Sequence, residues 1–176
     1  GNRLEFKKNK IGILGGSFNP AHKGHLTISK EAYKRFKLNK IIWAITKKNP
    51  LKKKTNESIL RRIQLCKKII GGTKFINVRF YENSIKSNKT IDLIDHFKKN
   101  KKNEIYFLMG ADNLINFHKW YKWRQILHKC SILVFDRDKY RSKSLKSKTF
   151  KKCNKKGLEY IKFKKANISS SKLRKI

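Results

Sequence analysis

The chain has 176 residues and a formal net charge of +36, from 47 Lys and Arg against 11 Asp and Glu; that length supports one hydrophobic core, read as a single domain over 1–176. No apolar run approaches the roughly 18 residues that span a bilayer and the N-terminal stretch carries no secretory-signal core. Cys66, Cys130 and Cys153 are too scattered for a disulfide framework or a zinc cluster, so a cytoplasmic setting is expected. The lysines recur along the chain, as in Lys52-Lys53-Lys54, Lys98-Lys99 and Lys151-Lys152, and follow no single helix face. They read as a solvated surface that steers anions, nucleotides included, and a dedicated nucleic-acid surface is not expected.

In chain order, the apolar run Ile11–Leu14 predicts a strand that breaks at Gly15-Gly16, followed by a loop and a helix from Gly24 to Phe36. Ile41–Ile45 has no polar alternation, as in a strand buried on both faces of a parallel sheet. A polar loop, 46–56, leads to a helix over Glu57–Ile70 that stops at Gly71-Gly72. A strand over Phe75–Tyr81, a short helix over Thr90–Phe97 and a buried strand over Ile105–Met109 follow. Leu114–His128 reads as one aromatic-rich helix leading into the strand Ser131–Phe135. Residues 139–156 are basic and poor in apolar side chains, read as loop or marginal helix. Gly157–Phe163 reads as a final strand and Asn167–Ser171 as a helix cap. This alternation predicts a Rossmann-like, doubly wound α/β fold, with a mainly parallel sheet, helices on both faces and ligands at the carboxyl ends of the strands.

The candidate chemistry begins at Gly15-Gly16-Ser17, which is neither the dinucleotide GxGxxG nor the phosphate-loop GxxxxGK[ST]. Glycines at a strand end let a backbone approach a ligand, and the amides of a helix N-terminus favour an anion. His22 and His25, spaced i, i+3, are expected on one side of that first helical turn. A metal pair would lack a third ligand, so a phosphate site is the first expectation.

Gly15-Gly16-Ser17-Phe18-Asn19-Pro20-Ala21-His22-Lys23-Gly24-His25 resembles the GG[ST]F[ND]PxHxGH signature of bacterial nicotinate-nucleotide adenylyltransferases, in the HxGH nucleotidyltransferase superfamily. Ile168-Ser169-Ser170-Ser171-Lys172-Leu173-Arg174 is similar to the superfamily's ISSTxxR segment, with Ser171 for the usual threonine. Gly110-Ala111-Asp112 followed by Trp120-Tyr121-Lys122-Trp123 resembles the GxD…WxxW region of the nicotinate-nucleotide branch. Asn49-Pro50-Leu51-Lys52 resembles its second-strand loop, and Lys89-Thr90-Ile91-Asp92-Leu93 its TxxTL helix start.

The resemblance implies adenylyl transfer from ATP, with Mg²⁺, to nicotinate mononucleotide in NAD biosynthesis. It implies that His22, His25 and Arg174 serve catalysis, and that Gly15, Gly16, Ser17, Phe18, Gly110, Asp112, Ser169 and Ser170 bind ATP. Lys47, Asn49, Lys52, Thr90 and Trp120 would bind the mononucleotide, Trp120 against the ring and Trp123 in the core. Leu93 stands where the second threonine of the TxxTL pattern would be, and the sequence ends soon after Arg174, where such proteins usually continue into a helical tail. The alternatives are another acceptor, nicotinamide mononucleotide or phosphopantetheine, and a basic nucleic-acid-binding protein on a degenerate version of the fold.

Overall fold

A computed structural model describes residues 7–47, 58–136, 147 and 158–161. Strands β1 (Asn9–Gly16), β2 (Lys40–Ile45), β3 (Ile76–Arg79), β4 (Asn103–Gly110), β5 (Ser131–Phe135) and β6 (Leu158–Ile161) form one sheet in the order β3-β2-β1-β4-β5-β6. Every neighbouring pair is parallel. The strand order reverses between β1 and β4, the place where such sheets open a crevice.

Helices α1 (Lys23–Phe36), α2 (Ile59–Ile70), α3 (Glu82–Ile85), α4 (Thr90–Lys98), α5 (Ala111–Asn116) and α6 (Trp123–Lys129) cover the sheet. Period-2 alternation within the apolar strands feeds two separate cores. Ile42 and Ala44 face the core that contains Ile91 and Ile94 of α4 and Ile126 of α6. Ile41, Trp43 and Ile45 face the core that contains Ala32 of α1 and Cys66 of α2. Burial on both faces explains why β2 reads as a continuous apolar run.

The structure departs from the expected elements in four places. β1 does not break at the glycine pair: Gly15 and Gly16 pair with Ala44 and Ile45, and Thr46 N–H bonds Gly16 C=O at 2.8 Å. The strand over Phe75–Tyr81 is confined to Ile76–Arg79, and the chain turns into α3, too short to show a helical period. The single helix over Leu114–His128 is instead α5, a 3-10 turn at Phe117–Lys119, and α6, separated by extended backbone at Trp120 and left-handed backbone at Lys122 (φ 54°). That break lets Phe117 and Trp123 enter the same core, their rings edge to face. Finally, α2 starts after Ser58, whose hydroxyl accepts Arg61 N–H at 3.1 Å and caps the helix. Asn49, Lys52, Ser169, Ser170, Arg174, the cap at 167–171 and nearly all of the basic stretch lie outside the described residues. Among the described residues no helix is long and apolar enough to cross a membrane.

Cys66 and Cys130 are free and buried, and burial pushes both thiols up to about 12. The folded chain keeps protons that the unfolded chain releases near pH 9, so this contribution to stability is complete below that pH and is lost as pH rises toward 12. Peptide-resolved maleimide labelling at pH 8 should therefore leave both cysteines unmodified in native protein and modify both in urea; rapid native labelling of either would contradict their burial.

Candidate active site

The end of β1 passes through Ser17 and Phe18 into α1, where the sequence places its two histidines. His22 is the N-cap of α1 and has extended backbone; it is not in the first turn as spacing suggested. Its Nδ1 accepts the N–H of Gly24 at 3.0 Å, and Nδ1 of His25 accepts the N–H of His22 at 3.1 Å. The two imidazoles thus make a reciprocal capping box, a task usually performed by a hydroxyl and a carboxylate. Their rings stack with centroids 3.9 Å apart.

This cap has two chemical consequences. Amides at Gly24 and His22 are occupied by the histidines, so they are not the anion donors first expected from the helix start. Each neutral ring accepts at Nδ1 and so carries its proton on Nε2, making Nε2–H a donor. The first turn contains no acidic residue, which leaves the positive end of the helix dipole uncompensated for an anion.

His25 is seated on a buried support. Phe18 lies 4.6 Å from its ring and stacks on Trp43 at 5.1 Å, while Trp43 lies 5.8 Å from His25. Trp43 Nε1–H donates to Ser29 Oγ at 2.8 Å, and the Ser29 hydroxyl donates to the carbonyl of His25 at 2.8 Å. Phe18 holds left-handed backbone (φ 50°) that a bulky residue rarely adopts, over-determined by this packing. At 2% exposed, Phe18 is placed as a support beneath His25.

A small cleft opens at the carboxyl ends of β1 and β2. Gly15 and Thr46 line one side, Tyr81 and Glu82 another, and Thr90 and Leu93 of α4 a third, with Phe107 of β4 beneath. A Cβ on Gly15 would meet Phe107 first, at 3.6 Å, and one on Gly16 would meet Phe18 first, at 3.7 Å; both are ordinary contacts, so packing does not demand either glycine. Gly15 itself lines the cleft, beside Phe107 at its floor. Trp120 packs edge to face with Phe107 at 5.9 Å and lies 4.8 Å from Phe117, next to the residues that line the cleft. It is half-buried, whereas Trp123 is buried in the core as expected. Gly110 precedes α5 and Asp112 lies in its first turn, at the end of the strand beside β1. The amide of Lys47 donates to Glu82 Oε1 at 2.9 Å.

The fold therefore brings Gly15 and Thr90 into one cleft, with Lys47 tied to its Glu82 wall, and puts His22, His25, Ser17 and Phe18 at the adjoining strand end. Sequence reasoning missed Trp43, Ser29, Glu82 and Arg62. Arg62 was legible, because it sits three residues after Ile59 and four before Cys66, on the face of α2 that turns inward. Charge disguised it as a surface residue.

Comparison with known proteins agrees with this fold. The cytidylyltransferase-like family matches residues 13–176. A probable nicotinate-nucleotide adenylyltransferase of Pelagibacter ubique is 62% identical over 175 residues, covering 99% of this chain and 97% of that protein. One from Agrobacterium fabrum is 37% identical over 129 residues, covering 72% of this chain and 68% of its own length. In fold, the chain is similar to Plasmodium falciparum nicotinic acid mononucleotide adenylyltransferase complexed with NaAD, with a TM-score of 0.70 and 20% identity over 95% of this chain and 83% of that one. A relative 62% identical over nearly the whole of both chains, together with the family model, shows that the chain belongs to the nicotinate-nucleotide adenylyltransferase family.

Proposed function

We propose that this chain transfers the adenylyl group of ATP to nicotinate mononucleotide, releasing pyrophosphate and forming nicotinate adenine dinucleotide for NAD synthesis. The observation that carries this reading is the adjacency of two differently built sites on one sheet edge. A pair of imidazole donors at the head of α1 suits a triphosphate, and the Gly15–Thr90 cleft suits a second, ring-bearing anion.

The acceptor's 5′-phosphate has a second pKa near ~6, so it is largely a dianion at neutral pH and needs no protein base. Its oxygen forms a bond to the α-phosphorus as the bond from that phosphorus to the bridging oxygen breaks, and the electron pair leaves with pyrophosphate. What remains for the protein is alignment and stabilisation of charge. In this reading Nε2–H of His25 donates to the α-phosphoryl oxygens and Nε2–H of His22 to the neighbouring phosphate. The cap bonds at Nδ1 hold both rings in the donating tautomer without a rearrangement during the reaction. Gly15 and Gly16 let the substrate approach the strand end, and Ser17 contributes from the same loop. Ser169, Ser170 and Arg174 close on the triphosphate from the far end of the sequence, a role that rests on the resemblance of their segment; there a guanidinium fork fits phosphate oxygens.

On the acceptor side, Thr90 at the start of α4 and the loop of Lys47, Asn49 and Lys52 take the mononucleotide, with Trp120 offering an aromatic face to the pyridinium. Leu93 lines the cleft as an apolar wall, so no hydroxyl is supplied from that position. Magnesium supplies charge neutralisation of the triphosphate when bound. Mg²⁺ is ordinarily held by one or two carboxylates together with substrate phosphates, and Asp112, in the first turn of α5, offers such an oxygen.

Two measurements test this reading. Incubating the protein with ATP, Mg²⁺ and either the acid or the amide mononucleotide should yield a dinucleotide mass predominantly with the acid; a preference for the amide would overturn the acceptor assignment. His25→Ala should lower kcat on the order of 100-fold while changing affinity for a non-hydrolysable ATP analogue far less. A proportional loss of binding would show that His25 holds the ground state and not the transition state.

A further inference from the structure

Arg62 of α2 is 1% exposed, yet it reaches the active-site edge of the sheet. Its Nη1 donates to the carbonyls of Ser17 at 2.9 Å and Thr46 at 2.8 Å, and its Nη2 donates to the carbonyl of Lys47 at 2.8 Å. Those acceptors belong to two loops, the one that follows β1 beside the histidines and the one that follows β2. Lys47 is held from its other side too, because its amide donates to Glu82 Oε1 at 2.9 Å, and Glu82 opens α3 after β3. A single buried guanidinium and one carboxylate thus tie together the segments leaving three adjacent strands. Burial opposes the charge on Arg62, while Cys66 and Glu82 favour it.

We infer that Arg62 is a positioning residue for adenylyl transfer, setting the separation between the loop that holds the triphosphate donors and the loop that forms the acceptor cleft. The inference rests on the function proposed above. Its physical basis is the fork: a planar guanidinium presents donors in fixed directions, whereas an ammonium on a flexible stem cannot hold three carbonyls in two loops at set angles. Thr46 and Glu82 line the cleft directly, so a shift of this clamp moves the cleft wall relative to His25. In-line displacement is sensitive to such shifts, about 100-fold in rate for a misplacement of about 1 Å.

The test combines kinetics, single-ligand binding and amide hydrogen exchange on Arg62→Met and Arg62→Lys. The Met variant should melt cooperatively, and its amides at 16–18 and 45–47 should exchange faster while the remainder of the sheet keeps its protection. Its kcat should fall about 100-fold, with Kd for an ATP analogue and for the mononucleotide, each measured alone, moving less than about tenfold. Arg62→Lys should fold and remain at least about tenfold slow, since it restores the charge without the fork. A Met variant with kcat within about twofold of the parent, affinities that fall in step with kcat, or unchanged exchange in the two loops would each overturn the inference. If the Met variant does not fold, the Lys variant is read by the same criteria; if neither folds, Arg62 serves the fold alone and the inference fails. Absence of any dinucleotide from the parent protein would remove the functional reading by itself, leaving loop exchange to decide whether the clamp exists.

Discussion

β1 is hydrogen-bonded to β2 along one edge and to β4 along the other, and its apolar side chains enter both cores. A strand constrained on all four sides has no freedom in where its end emerges. The glycine pair, Ser17, Phe18 and the start of α1 are therefore placed by sheet register before any local interaction acts. The reciprocal cap of His22 and His25 refines the last few ångströms, and Trp43, from the adjacent strand, props the result from below through Phe18 and Ser29.

The electrostatics of the site do not follow the bulk composition. Of the 47 basic residues, Arg62 reaches the loop that follows β1, and there its guanidinium is engaged with backbone carbonyls. In the proposed reaction the direct donors at the head of α1 are imidazole Nε2–H groups held in one tautomer by the cap bonds at Nδ1. Exposed lysines act at longer range, drawing anionic substrates toward the surface, a contribution that salt screens. Attraction and alignment are thus assigned to different residue types.

Much of the fold was legible because parallel strands buried on both faces leave uninterrupted apolar runs, as in Ile41–Ile45 and Ile105–Met109. The helix ending at Ile70 was legible from its period and from Gly71, whose φ of 54° ends it, whereas its serine cap was read as part of the helix. Three kinds of feature were not. Backbone sign changes at Phe18 and Lys122 occur at residues with no glycine signal, imposed by aromatic packing between distant segments. The strand runs through Gly15 and Gly16 because its neighbours pair with them, which local propensity does not report. Histidines as mutual caps were hidden because capping preference is written for small oxygen-bearing side chains, although the GG…HxGH spacing itself marked the right segment.

The two cores separate the machinery by substrate. Phe18, Trp43 and Cys66 belong to one face of the sheet, together with the helices that carry His25 and Arg62. Ile91, Ile94, Phe107 and Phe117 belong to the other, with Leu93 and Trp120 packed against it. In the proposed reaction the histidines act from the first face, and Thr90 of the acceptor cleft from the second. Substitutions that repack the α4 and α6 face can then retune which ring the cleft admits while leaving the phosphate-handling end intact. Such a division makes this sheet a partition between the imidazole donors and the acceptor pocket.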